Sequence, residues 1–231
     1  MAQKTNNYGN DAISALKGAD RVRKRPGVIF GSDGLEGCEH AVFEIMSNAI
    51  DEAREGHGNL ITVTRFEDLS IQVEDQGRGC PVDWNPIEKR YNWELVYCEL
   101  YAGGKYDNNS GEAAYEYSLG MNGLGACATQ YSSEYMDVTV WRDGNKYELH
   151  FKKGKVLGKK GQELTITPAD RKKTGTTISA TTAGRMPLKA ASTTGFWRMP
   201  AKKMAIARMM TNDGVTVPSR AAAAPRSPRT L

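Results

Sequence analysis

Apolar residues recur at the helical period through Val42, Ile45, Met46, Ala49, Ile50 and Ala53. That pattern predicts an amphipathic helix over residues 38–55, closed by Gly56-His57-Gly58. Glu44, Ser47, Asn48 and Asp51 lie three, four and seven positions apart and share the other stripe. Two alternating segments, 60–66 and 69–75, flank Glu67-Asp68 and read as a hairpin. Further strands are predicted at 136–141, 145–151 and 163–166, with another beginning at 174–178. Helices are predicted at 12–23 and 93–101, and a third opens at the Gly-rich run 120–125 and continues through Gln130.

Residues 28–30 form a brief apolar run leading into a Gly-rich loop, and 103–111 read as a long mobile loop. Residues 1–12 are polar and Asn-rich and read as an arm. After residue 178 the periodicity stops: the tail is rich in Ala, Met and Pro and holds a run of four alanines. Three units are therefore expected: an arm at 1–12, a domain at 13–178, and a tail at 179–231 that is disordered or frame-shifted.

At 231 residues the chain can bury a sizeable core. It has no apolar run of membrane-spanning length and no secretory leader at its start, so a cytoplasmic location without membrane contact is expected. The four cysteines lack metal-site spacing and read as free thiols. The net charge of +4 is unevenly spread. Nine Lys and Arg against Asp213 give the tail +8, so residues 1–178, with 22 basic and 26 acidic residues, stand at −4. Overall charge is thus no argument for nucleic-acid binding by the folded part.

Three pieces carry candidate chemistry. Glu44 can take a proton from water, and Asn48 can offer its side-chain oxygen to a hard cation. The Asp75-x-Gly77-x-Gly79 turn presents a carboxylate to an exocyclic amine, beside backbone bare enough for a flat ring to approach. The Gly120-x-x-Gly123-x-Gly125 run opens a helix whose N–H groups can hold phosphates. Each alone is a weak signal, since glycines in a turn or cap look the same. Together and in this order they are far harder to obtain by chance.

With these motifs the chain resembles the ATPase region of the type IIA topoisomerase B subunits, gyrase or topoisomerase IV, within the GHKL superfamily. The resemblance spans residues 8–178. It rests on Arg23-Lys24-Arg25-Pro26-Gly27, on Glu44-x-x-x-Asn48-Ala49-Ile50-Asp51-Glu52-Ala53, and on Asp75-Gln76-Gly77-Arg78-Gly79-Cys80-Pro81. Tyr101-Ala102-Gly103-Gly104-Lys105-Tyr106, the run 120–125 and Thr174-Gly175-Thr176 complete it.

The resemblance implies an α+β, two-layer α/β sandwich with a mixed, mostly antiparallel sheet. It implies ATP and Mg²⁺ as cofactors, with Glu44 as the general base and Asn48 as the Mg²⁺ ligand. Asp75 would receive the adenine amine with Thr176 supporting it, while Arg78, Gly79 and Pro81 border the base. Lys105, Gly120, Asn122, Gly123, Leu124 and Gly125 would hold the phosphates, and Asp51, on the helix face with Glu44, would also bind the nucleotide cofactor. Tyr8, on the arm, would reach the partner protomer's nucleotide in a homodimer, and the full protein would work with an A subunit and DNA.

Two departures stand out. Asn122 replaces the family's usual His, and the tail does not match the transducer domain that follows in the family. Slow isolated turnover is therefore expected. The alternative is a nucleotide-gated dimerisation module, or a truncated fragment, that binds ATP with little turnover.

Overall fold

The computed structural model describes residues 13–66, 68–102 and 123–182, together with the backbone of 195–200 and 220–221. The predicted central helix is α3, Leu35–Arg54, preceded by two short helices, α1, Asp20–Arg23, and α2, Pro26–Phe30. The helix predicted at 12–23 shrinks to α1 because Gly18 turns to φ +51 and breaks the run. The 28–30 run is helical, started by Pro26 in the first turn and closed by Gly31 at φ +76.

The predicted hairpin is β1, Leu60–Arg65, with β2, Ile71–Asp75, in antiparallel register. A two-residue ladder that the pattern did not reveal, β3 (Trp84–Asn85) with β4 (Arg90–Tyr91), leads into α4, Asn92–Cys98. A capping box starts α4: Glu94 Oε1 accepts the Tyr91 N–H at 3.2 Å. Next come α5, Gly125–Ser132, then β5, Ser133–Arg142, and β6, Asn145–Lys152, joined at Asp143-Gly144. Positive φ at both turn residues matches the twist of a two-residue hairpin. Short strands β7, Lys155–Val156, and β8, Thr165–Pro168, flank β6, and β9 spans Gly175–Thr182.

Apart from the β3–β4 pair, these strands join β10, Gly195–Pro200, and β11, Arg220–Ala221, in one sheet of order β11-β10-β1-β2-β9-β5-β6-β7, with β8 also on β6. Every pairing among the described strands is antiparallel. Two of the strands correct an expectation. Backbone at Gly195–Pro200 (β10) pairs with β1, and Arg220–Ala221 (β11) pairs with β10. β9 itself runs four residues past Ile178. Part of the tail expected to lie outside the domain therefore extends the sheet. The reason is an unfilled edge: β1 presents unpaired N–H and C=O groups on its outer side, and a passing extended segment satisfies them whatever its composition.

Helices cover one face of the sheet. Ile45, Ala49 and Ile50 of α3 and Trp93 and Tyr97 of α4 pack on Ile61, Val73, Val138 and Ile178. Each such Ile or Val side chain stabilises by about 1.5–3 kcal/mol. On the outer side, Val22, Phe30, Ala41, Cys127, Ala128 and Tyr131 join α1, α2, α3 and α5. With cover on both sides, the polar stripe expected on α3 splits. Ser47 and Asp51 are fully enclosed, while Glu44 and Asn48 stay half-buried. Ser47 tolerates enclosure by donating its hydroxyl to the Phe43 carbonyl one turn back, at 2.8 Å.

Candidate functional site

β2 ends in the turn that carries the candidate base-binding carboxylate. Asp75 Oδ1 accepts two backbone N–H groups, from Gly77 at 2.8 Å and from Thr176 at 3.1 Å. No described residue donates to Oδ2. Burial pushes the Asp75 carboxyl up to about 6; the two N–H bonds act the other way, and the nearby Glu52 and Glu74 charges add to the rise. The Thr176 hydroxyl accepts the Cys80 N–H at 3.0 Å, so one residue of β9 braces both ends of the turn.

Glycine is required at two points here. Gly79, at φ +80, has the Trp141 carbonyl where a Cβ would stand, at 2.5 Å. Gly175, at φ +135, would place a Cβ 3.1 Å from the Asp75 carbonyl carbon and 3.2 Å from the Gln76 Cα. Gly175→Ala should therefore destabilise the fold by roughly 2–3 kcal/mol, combining backbone strain with a backbone clash. A chemical denaturation midpoint equal to the parent's would refute this.

Glu52 holds the turn to the helix layer. Its carboxylate takes the Arg78 guanidinium in two bonds, Nε to Oε2 at 3.0 Å and Nη2 to Oε1 at 2.8 Å. Oε2 also accepts the Arg78 backbone N–H at 3.1 Å. From the other side Arg142 Nη1 donates to the Gly79 carbonyl at 2.9 Å. Neither Glu52 nor Arg142 was singled out from the sequence. For Glu52 the signal was there: Glu44, Asn48 and Glu52 repeat at intervals of four, so successive members are neighbours on the helix surface. Arg142 carries no local signal, because only the β5–β9 pairing brings it to the turn.

Glu44 lies on α3 where α5 begins. A Cβ added at Gly125 would fall 2.8 Å from the Glu44 Cβ, so glycine is what lets the start of α5 pass so close. His40, one turn earlier on α3, has Nε2 3.1 Å from Glu44 Oε1 and Nδ1 3.1 Å from the Phe30 carbonyl. The imidazole therefore lies between the carboxylate and the end of α2, and each ring N–H can donate to the acceptor on its side. This is a further residue that reading the sequence passed over, although its spacing of four from Glu44 placed it on the same face.

Within α5 the Ala128 N–H reaches the Leu124 carbonyl at 2.7 Å, which leaves the N–H groups of Gly125, Ala126 and Cys127 without intrahelical acceptors. Gly123, at φ +57, and Leu124 lead into them. Asn48 sits one turn beyond Glu44, half-buried on the stripe between Glu44 and Glu52. Arg78 is half-buried, Gly79 buried and Pro81 exposed at the rim of the turn. Asp51 is enclosed within the helix layer and does not share that surface. Tyr8, Lys105, Gly120 and Asn122 lie outside the described residues.

An antiparallel sheet under a helix layer, with a braced carboxylate turn on one side and a carboxylate beside a helix start on the other, makes a two-layer α/β sandwich. Residues 35–183 match the family described as histidine kinase-, DNA gyrase B- and HSP90-like ATPases, and the chain belongs to that family. It is 40% identical over 179 residues to the DNA gyrase B protein of Synechocystis, an overlap of 78% of this chain and 16% of that protein. It is 43% identical over 165 residues to the DNA gyrase B protein of Thermotoga maritima, covering 69% of this chain and 25% of the relative.

Among solved structures, the ATP-binding domain of Francisella tularensis topoisomerase IV, in complex with a small-molecule inhibitor, superposes with a TM-score of 0.59 at 28% identity. That superposition covers 85% of this chain and 47% of the other. The 43K ATPase domain of Thermus thermophilus gyrase B, bound to an aminocoumarin, gives 0.56 at 32% identity, covering 75% of this chain and 43% of its own. The chain spans about a quarter or less of the length of the curated relatives it matches.

Proposed function

We propose that this chain binds and hydrolyses ATP with Mg²⁺ as the ATPase domain of a type IIA DNA topoisomerase B subunit. In that reading its nucleotide-driven dimerisation gates the passage of a DNA duplex in a complex with an A subunit. The observation that carries the reading is the Asp75 turn: one carboxylate oxygen is held by two backbone N–H groups while the other, which takes no donor among the described residues, can accept from the adenine amine. Phosphates would lie on the free N–H groups at the start of α5, with Lys105 and the run 120–125 completing the cradle. Glu44 would act on the attacking water, steadied by His40. Phosphoryl transfer is mostly positioning and charge neutralisation, so such a set suffices.

Asn48 fits Mg²⁺ as a single oxygen donor. A Mg²⁺ ion bound mainly through nucleotide phosphates and water needs few protein ligands, and the described residues hold no cluster of three His, Cys, Asp or Glu able to bind a metal by themselves. The ion would neutralise charge on the phosphates. Tyr8 and the arm would join the two protomers. No helix among the described residues is long and apolar enough to cross a membrane, and the four free thiols fit the reducing cytoplasm.

Thermal melting with nucleotide tests the adenine assignment. A ligand at a hundred times its Kd stabilises by about 2.7 kcal/mol, a melting shift of several degrees. ATP and a non-hydrolysable analogue with Mg²⁺ should both raise Tm, and GTP should not. An equal response to GTP would remove the adenine assignment. Phosphate release measured on the same sample separates an ATPase from a module that only binds nucleotide.

A further inference from the structure

The segment from Lys152 to Lys173 carries eight Lys and Arg against two acids, Glu163 and Asp170, a net +6. The rest of residues 1–178 is left with 14 basic and 24 acidic residues, a net −10. Five of these eight, Lys152, Lys153, Lys155, Lys159 and Lys160, follow the β6 end that pairs with Tyr135, while Arg171 lies against Gly144 and Lys173 against Trp141 at the other end of the β5–β6 hairpin.

The densest part of that segment is the outer edge of the sheet. Lys152 and Lys155 face each other directly across the β6–β7 ladder. Lys153 occupies the intervening turn, and Lys159 and Lys160 form the next turn, closed by the Gln162 N–H on the Lys159 carbonyl at 2.8 Å. Lys153 reaches Glu134 at 3.5 Å, whereas the other four make no ion pair with any described residue. All five side chains belong to exposed residues.

This arrangement carries two local costs. Like charges directly opposite on a ladder destabilise it. Lys153 also sits at φ +51 in a turn position that favours Asn or Asp, where the neighbouring β5–β6 turn uses Asp143.

We propose that this lysine hairpin, Lys152 to Lys160, is a contact for the phosphate backbone of duplex DNA. The residue types choose the partner. Protein interfaces deplete Lys and draw on aromatic residues and Arg, and this edge has neither; Leu157, 42% exposed, is the one large apolar side chain there. Flexible ammonium groups in a row, without apolar anchors, suit a repeating phosphate array read without regard to sequence. The surface stands apart from the Asp75 turn, and the proposal does not rest on the nucleotide reading.

The test uses the full chain, a fluorescent 30-base-pair duplex and anisotropy titrations between 50 and 200 mM salt, without nucleotide. Each phosphate contact contributes about 0.9 to the slope of log K against log salt. Lys152, Lys155, Lys159 and Lys160 all changed to Gln should lower that slope by about 3–4 and weaken binding about tenfold or more at the upper salt. Lys159→Gln with Lys160→Gln, which touches no strand, should lower it by about 2, so a folding defect in the quadruple variant leaves the proposal testable. ATP-analogue affinity should be unchanged in both, which keeps this result separate from the nucleotide assignment. A matched variant removing Lys202, Lys203, Arg226 and Arg229 from the tail should change the slope much less. An unchanged slope in the hairpin variants, or an equal loss in the tail variant, would overturn the proposal. So would displacement by poly-glutamate as efficient as by unlabelled duplex, which would assign the surface to an acidic protein.

Discussion

Glu44→Gln should lower the rate of ATP hydrolysis about 10²–10⁴-fold, the usual contribution of a positioned general base. Nucleotide affinity should barely change. The side chain lies where α3 meets the start of α5 and is held by His40, with space for it kept open by Gly125. Gln has nearly the same shape, so the close approach of the two helices survives, and a neutral amide spares the phosphates a neighbouring negative charge. What Gln cannot do is take a proton from water. The change should therefore appear in kcat and not in KM, the pattern expected when an interaction belongs to the transition state alone. Phosphate release at saturating nucleotide, paired with analogue binding by calorimetry, checks both halves. A variant that turns over as fast as the parent would remove Glu44 from the chemistry, and one that loses binding in proportion would place it against the nucleotide instead.

The central helix, the β1–β2 hairpin and the β5–β6 hairpin were legible because each keeps the hydrophobic period of its element where it packs in the core. Legibility failed where a segment answers to distant partners. Asp51 was placed with Glu44 by spacing alone, yet α3 is covered on two sides, by the sheet and by α2 and α5, so a residue seven positions on falls inside. Glu52, only one residue further, emerges beside Arg78. The missed strand β10 shows the complementary failure. Its composition has no strand period worth reading, and its place is set by the open edge of β1. Much of the site was readable because glycines and carboxylates mark it locally. The residues that hold it rigid, Glu52, His40 and Arg142, act across the fold, and for Arg142 nothing local announces the role.

The affinity for ATP should depend on pH through Asp75, and Asp75→Asn should abolish that dependence together with most of the binding. In the free protein burial raises this carboxyl from 3.8 to about 6. The folded state thus holds its proton more tightly than the unfolded chain. The associated stability is fully present below about pH 4 and is lost as the pH rises through about 6. An adenine amine donating to Oδ2 favours the ionised form, so nucleotide binding below pH 6 must expel a proton. Affinity should fall by up to about tenfold per pH unit on the acid side and level off above it. ATP titrates too, so the measure is the difference between parent and variant. Asn keeps the oxygen that accepts from Gly77 and Thr176, so the turn stays braced. Its amide then sets N–H donors against the adenine amine, and an unpaired donor in an enclosed site costs about 1–3 kcal/mol, or roughly 5- to 150-fold in affinity. Without the desolvated acid, the variant should also gain stability relative to the parent as the pH rises from 4 to 7. Calorimetry in two buffers of different ionisation enthalpy counts the released protons directly. If the parent releases none at pH 5.5 beyond what the Asn variant does, or if the variant binds ATP as tightly as the parent, Asp75 does not receive the adenine.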